Sequence, residues 1–201
     1  MKKAVNILIA LILLFPIFAL SDVVPGAPAP AFQLFDASGH SHKLTDYAGK
    51  WVVLEWFNKE CPFVKKHYGS NNMQSLQKKY AAKDVIWLTV NSSAEGKQGH
   101  QTPDEALTYA ESVGSAATAL LMDPDGTMGK AYGAKTTPHM FVIDPKGSVA
   151  YVGAIDDNDS SSPEVITNSR NYVVSALDAG MVGGTIDPSS TRAYGCGVKY
   201  K

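Results

Sequence analysis

Cysteine is scarce in this chain: Cys61 and Cys196 are the only two in 201 residues. Two thiols cannot build a disulfide scaffold, and they exclude zinc sites of the four-cysteine kind. Arginine is equally scarce, with Arg170 and Arg192 alone. An excess of one charge is missing too, since 18 Lys and Arg face 19 Asp and Glu for a formal net charge of −1. Without a basic block or an acidic tail, nucleic acid is not a suggested partner. The 17 glycines and 11 prolines are scattered, and 45% of the residues are hydrophobic, so the chain is globular rather than disordered. One domain is the default at this length.

The long apolar run is confined to the start. Met1-Lys2-Lys3 is basic, residues 4–20 are apolar except for Asn6, and Ala19-Leu20-Ser21 offers the small residues a signal peptidase reads. This pattern predicts a secretory signal over residues 1–21, with a retained membrane anchor as the alternative. The run is shorter than the roughly 20 residues of a spanning helix, and Pro16 interrupts it. A bacterial periplasm or the exterior follows as the expected compartment, where two thiols can oxidise to a disulfide.

From residue 23 the chain opens with a Pro- and Gly-rich arm, then a short strand, a turn at Asp36-Ala37-Ser38-Gly39 and a returning strand at residues 41–44. Residues 51–57 (WVVLEWF) and 84–90 (DVIWLTV) are continuous β-forming runs, the pattern of strands buried on both faces. Residues 62–80 carry helical spacing. Thr102, Pro103, Asp104 and Glu105 open a second helix to about Val113. A short strand (119–122) and a short helix (127–132) follow, then a hairpin of residues 139–144 and 148–152, then a helix over 163–179. Alternating strands and helices predict an α/β fold: a central mixed sheet with helices on both faces and an N-terminal β extension.

Cys61 stands between a buried strand and Pro62, on the leading turn of a helix. Helix N-terminal amides favour a thiolate there, and Lys65 and Lys66 are expected to add positive potential. The thiol is therefore expected to be nucleophilic, at the carboxyl end of a central strand where open α/β sheets hold their sites. His67 is expected on the surface. His139 is expected either to face the site or to fill a strand position.

Residues 51–65 (WVVLEWFNKECPFVK) resemble the thioredoxin active-site segment, and Thr137-Pro138-His139-Met140-Phe141-Val142-Ile143-Asp144 resembles the thioredoxin cis-proline segment. Residues 56–68 match the W-F-N-x-x-C-P-F-V-K-K-H-Y string of redoxin-domain, peroxiredoxin-like (AhpC/TSA-like) proteins, which also carry a cysteine near the C-terminus. The likeness covers roughly residues 23–180. It implies a thioredoxin-like domain over 22–180 and a tail over 181–201 carrying Cys196. It also implies Cys61 as catalytic thiol, Glu55 as a buried acid that shuttles a proton, and Thr137 and cis-Pro138 as the backbone that binds substrate. No cofactor and no metal are implied.

The departures are specific. Val64 stands where thioredoxins have their second cysteine, and Leu54 and Asn58 stand where peroxiredoxins have the proline and the hydroxyl residue of their motif. A resolving thiol must then come from elsewhere, and Cys196 is the remaining cysteine. Gly195 and Gly197 flank it and are expected to leave the backbone pliable and the thiol accessible. Three states stay open: a Cys61–Cys196 bond, an intermolecular bond, and two free thiols. Three functions follow: a secreted thiol-disulfide oxidoreductase, a peroxide scavenger, and a non-enzymatic module stapled by a disulfide. The partner would be a protein disulfide or thiol, a small thiol or a peroxide, with no stable membrane association after signal cleavage.

Overall fold

The computed structural model describes residues 23–201; the expected signal or anchor over 1–21 lies outside the described residues. Strands β1 (Gln33–Phe35) and β2 (Ser41–Lys43) form the N-terminal antiparallel hairpin. The main sheet contains β3 (Val52–Trp56), β4 (Ile86–Asn91), β5 (Ala119–Met122), β7 (His139–Ile143) and β8 (Val149–Gly153), in the order β5-β4-β3-β7-β8. β3–β4 and β4–β5 are parallel, while β3–β7 and β7–β8 are antiparallel, so the sheet is mixed as its hairpin ending requires. β6 (Thr136–Thr137) and β9 (Cys196–Gly197) make a separate two-stranded ladder.

The continuous apolar runs are explained by burial on both faces. On one side Val53 and Phe57 of the β3 segment meet α1 (Pro62–Gly69), α2 (Asn72–Ala81) and α5 (Tyr172–Gly180) through Val64, Met73, Tyr80 and Leu177. On the other, Leu54 and Trp56 meet Met128 of α4 (Thr127–Ala131), Phe32 of the arm and Val198 of the tail. α3 (Pro103–Ser112) opens on the expected cap: Glu105 N donates to Thr102 Oγ1 (3.3 Å) and Thr102 N to Glu105 Oε2 (2.9 Å).

Two expected helices are divided. The spacing over 62–80 becomes α1 and α2, because Asn71 takes a left-handed conformation (φ 59°) in the Gly-Ser-Asn-Asn break, whose residues are weak helix formers. The region 163–179 becomes a 3-10 stretch (Pro163–Asn168) followed by α5, which starts at Asn171 because its side chain caps Val174 N (2.9 Å).

The tail is held along its length. Val152 N donates to Ser189 O (3.1 Å) and Thr191 N to Val152 O (3.0 Å), which extends the β8 edge. Val198 N donates to Lys135 O (3.1 Å), Ala94 N to Lys199 O (2.9 Å) and Tyr200 Oη to Ala134 O (2.8 Å). The Tyr200 ring lies on two glycines: a Cβ at Gly126 or Gly129 would come within 2.5 or 2.4 Å of it.

Candidate active site

Cys61 is the N-cap of α1, with Pro62 at the first helical position. The chain reaches it by a tight turn, since Cys61 N donates to Asn58 O (3.1 Å). The buried Asn58 fixes that turn, accepting from Glu60 N (2.8 Å) and donating to Gln98 O (3.2 Å). Gly99 passes so close to Asn58 that a Cβ would lie 2.2 Å from Oδ1. The Cys61 side chain is completely buried, and its Sγ donates to Thr137 O at 2.9 Å.

Thr137 is on β6, directly before a cis peptide to Pro138, so the cis-proline expected from the resemblance is present. The other side of β6 is occupied by the chain itself. Thr137 pairs with Cys196 and Thr136 with Gly197, filling the position where the resemblance puts a substrate backbone. This pairing brings the two thiols beside one another, Cys196 packing against the core cluster that holds Cys61, while both are free.

The two thiols are electrostatically unequal. Burial pushes the Cys61 pKa up. Hydrogen bonds from the Cys196 and Thr137 side chains and from the Val64 and Cys196 backbones outweigh burial and leave it below the ordinary thiol value. Burial and the hydrogen bond and charge of Cys61 push Cys196 above its ordinary value. Cys61 is thus the thiol that ionises first.

Three sequence expectations are corrected here. Lys66 is buried rather than facing the thiol; its Nζ donates to Asp156 Oδ2 (3.4 Å) and Asn158 O (2.8 Å). The lowering of Cys61 comes from hydrogen bonds, with no lysine among its causes. His67 is buried, not on the surface, and burial lowers its pKa to about 4 despite Asp156. Gly195 serves close approach rather than pliability. Its φ is +136°, and a Cβ there would sit 2.1 Å from Thr137 O. Cys196 is half-buried on a fixed strand.

Glu55 lies fully buried on the α1 side of β3. Its Oε2 accepts from Trp87 Nε1 (2.9 Å), while Oε1 has no hydrogen-bond partner among the described residues. Burial raises its pKa to about 7 against the opposing Trp87 hydrogen bond. Cys61 is not among its partners. A carboxyl raised in the folded state stabilises the fold at low pH and loses that contribution as pH climbs from its unfolded value through about 7. Glu55→Gln should therefore gain on the wild type by about 3 kcal/mol between about pH 4 and pH 9, read from urea unfolding at each pH. A constant difference across that range would contradict the raised pKa.

His139 sits in β7, with Nδ1 accepting from Lys135 N (3.2 Å) and its ring against Phe141; burial lowers its pKa to about 4. It lines a cleft of about 520 Å³ with Tyr132, Val152 and Arg192. A second cleft, of about 580 Å³, is lined by Phe63, Thr136, Asp156, Tyr194 and Gly195. Residues 191–193 of the tail line both.

This mixed sheet, with a cysteine on the leading cap of the first core helix and a cis-proline facing it, defines a thioredoxin-like protein. Residues 25–152 match the model of the AhpC/TSA family, and the chain belongs to that family. It is 32% identical over 127 residues to the thiol-disulfide oxidoreductase ResA of Geobacillus thermodenitrificans, covering 63% of this chain and 67% of that protein. An uncharacterized conserved protein from Geobacillus kaustophilus has a similar solved structure (TM-score 0.76, 26% identity, 88% of this chain and 92% of that one). The thioredoxin domain of the thiol-disulfide oxidoreductase BVU-2223 from Bacteroides vulgatus shares the fold (TM-score 0.52, 19% identity, 65% of this chain and 89% of that one).

Proposed function

We propose that this chain is a thiol-disulfide oxidoreductase working outside the cytoplasm, with Cys61 as nucleophile and Cys196 as resolving thiol. The observation that carries the reading is the β6–β9 pairing, in which Cys196 lies opposite Thr137 and contacts the capped thiol of Cys61. The relatives named for thiol-disulfide exchange support the reaction class, and the signal pattern at residues 1–21 supports the compartment.

The Cys61 thiolate attacks one sulfur of a client disulfide. The client S–S bond breaks, a mixed disulfide forms, and the departing client sulfur takes up a proton. Cys196 then attacks Cys61 Sγ, releases the second client sulfur as a thiol and leaves a Cys61–Cys196 disulfide. Two electrons have passed from the dithiol to the client, and an external thiol reductant restores the pair. Glu55, poised near neutrality, is proposed to hold the proton that leaves and returns during exchange. Thr137 and Pro138 are proposed to receive the client strand, which then has to displace the tail from β6.

The direct test is the reactivity of Cys61. Alkylation of the reduced protein by iodoacetamide, followed by mass spectrometry against pH, should give Cys61 a midpoint below about 8.5, with Cys196 titrating above Cys61. A Cys61 midpoint at or above the free-thiol value removes the basis for a nucleophilic role.

A further inference from the structure

The tail carries an anchor two residues before Cys196. The Tyr194 hydroxyl donates to Asp156 Oδ1. Asn72 Nδ2 donates to His67 Nδ1 (2.9 Å), so the ring proton sits on Nε2 and points at Tyr194 Oη (3.3 Å). Lys66 Nζ reaches the same hydroxyl at 3.4 Å, closing a ring of groups around Asp156. The Tyr194 ring packs edge-on against Phe63 (5.6 Å) and under the Lys66 ammonium (5.3 Å). Phe63, Lys66 and His67 all belong to α1, the helix capped by Cys61. Burial of Lys66, His67 and Asp156 makes this arrangement expensive to assemble unless every donor has its acceptor. Tyr194 supplies both a donor and an acceptor, and burial with the Asp156 hydrogen bond keeps its hydroxyl protonated.

We propose that Asp156, with Lys66 and His67, is the positioning site for Tyr194, and that it fixes the register in which Cys196 meets Cys61. The proposal rests on the reading of Cys196 as resolving thiol. An anchor ordered in the dithiol state means that closing the S–S bond costs less chain entropy, which raises the effective concentration of Cys196 at Cys61. The reaction that reads this is exchange with glutathione. The Cys61–Cys196 dithiol loses two electrons to one glutathione disulfide, whose S–S bond breaks to give two glutathione thiols carrying the two protons.

Reduced full chain is equilibrated with graded glutathione redox ratios and the intramolecular disulfide is quantified by mass spectrometry. Tyr194→Phe removes the hydroxyl and keeps the ring. It should shift the midpoint ratio about tenfold toward the dithiol, the value of one hydrogen bond to a charged group, making the couple about 30 mV less reducing. Asp156→Asn, which keeps an acceptor oxygen and removes the charge, should move it the same way. A wild-type midpoint in Tyr194→Phe, even with a lowered melting temperature, overturns the proposal and leaves the cluster as a fold anchor. If the wild type itself forms no Cys61–Cys196 disulfide at any ratio, the resolving reading of Cys196 is what fails.

Discussion

Cys196→Ser should accumulate a mixed disulfide on Cys61 when the reduced protein meets oxidised glutathione or a disulfide-bonded peptide. In the wild type Cys196 lies beside Cys61, so the proposed resolving thiol sits on a neighbouring, ordered strand. Removing that thiol leaves resolution to solution thiols, and the adduct lifetime should lengthen by roughly a hundredfold or more, the scale of a lost intramolecular partner. Cys61→Ser should collect little adduct on Cys196, since burial, the largest cause of the tail thiol's raised pKa, survives the substitution. Intact mass spectrometry of quenched time points reads both variants. Absence of a trapped species in Cys196→Ser, or equal trapping on Cys196 in Cys61→Ser, would reverse the assignment of roles. The disulfide would also close most of the chain into one loop, adding about 4–5 kcal/mol on the chain-entropy account, so reductant should lower the melting temperature of the wild type alone.

Gly195→Ala should uncouple the two thiols, whereas Gly197→Ala should leave them coupled. The two glycines look equivalent in the sequence and differ in the fold. At Gly195 a Cβ would meet the Thr137 carbonyl at 2.1 Å, and φ is +136°, where an L side chain is strained. That carbonyl belongs to the cis-proline segment and also accepts from Cys61 Sγ, so it cannot yield without moving the site. At Gly197 the nearest atom is Lys135 O at 3.9 Å, which is ordinary contact. Strain and overpacking of this kind cost about 2–4 kcal/mol, about thirtyfold to a thousandfold in the docked population of β9. The yield of intramolecular disulfide at a fixed glutathione ratio should fall accordingly in Gly195→Ala. A wild-type yield in Gly195→Ala would mean that β9 docking does not control the pair.

Much of the architecture was legible because it rests on local pattern. The runs at residues 51–57 and 84–90 are apolar at every position but one or two, and only a strand covered on both faces satisfies that. Thr102-Pro103-Asp104-Glu105 contains its own cap, and it forms as written. Cys61 before Pro62 marks a strand-to-helix junction in two residues. The single helix read over 62–80 broke because Asn71 adopts a conformation that a periodicity of apolar residues does not register.

What the sequence alone determined was therefore the order of the main-sheet strands, the sheet's parallel and antiparallel halves, the cap position of Cys61, and the presence of one more thiol near the end. What only the tertiary structure decided was where the tail goes and what meets it. Thr137 pairs with Cys196 across 59 positions of sequence, and Tyr194 reaches Lys66 and His67 across 128 and 127. His67, six residues after Cys61 and off its helical face, is expected on the surface, while its burial comes from Asp156 and Tyr194, which the chain supplies much later. Helix and strand periodicities report the solvent-facing and core-facing sides of one element. They carry no information on which distant polar groups will be desolvated together, because that depends on the docking of elements whose contacts are long-range.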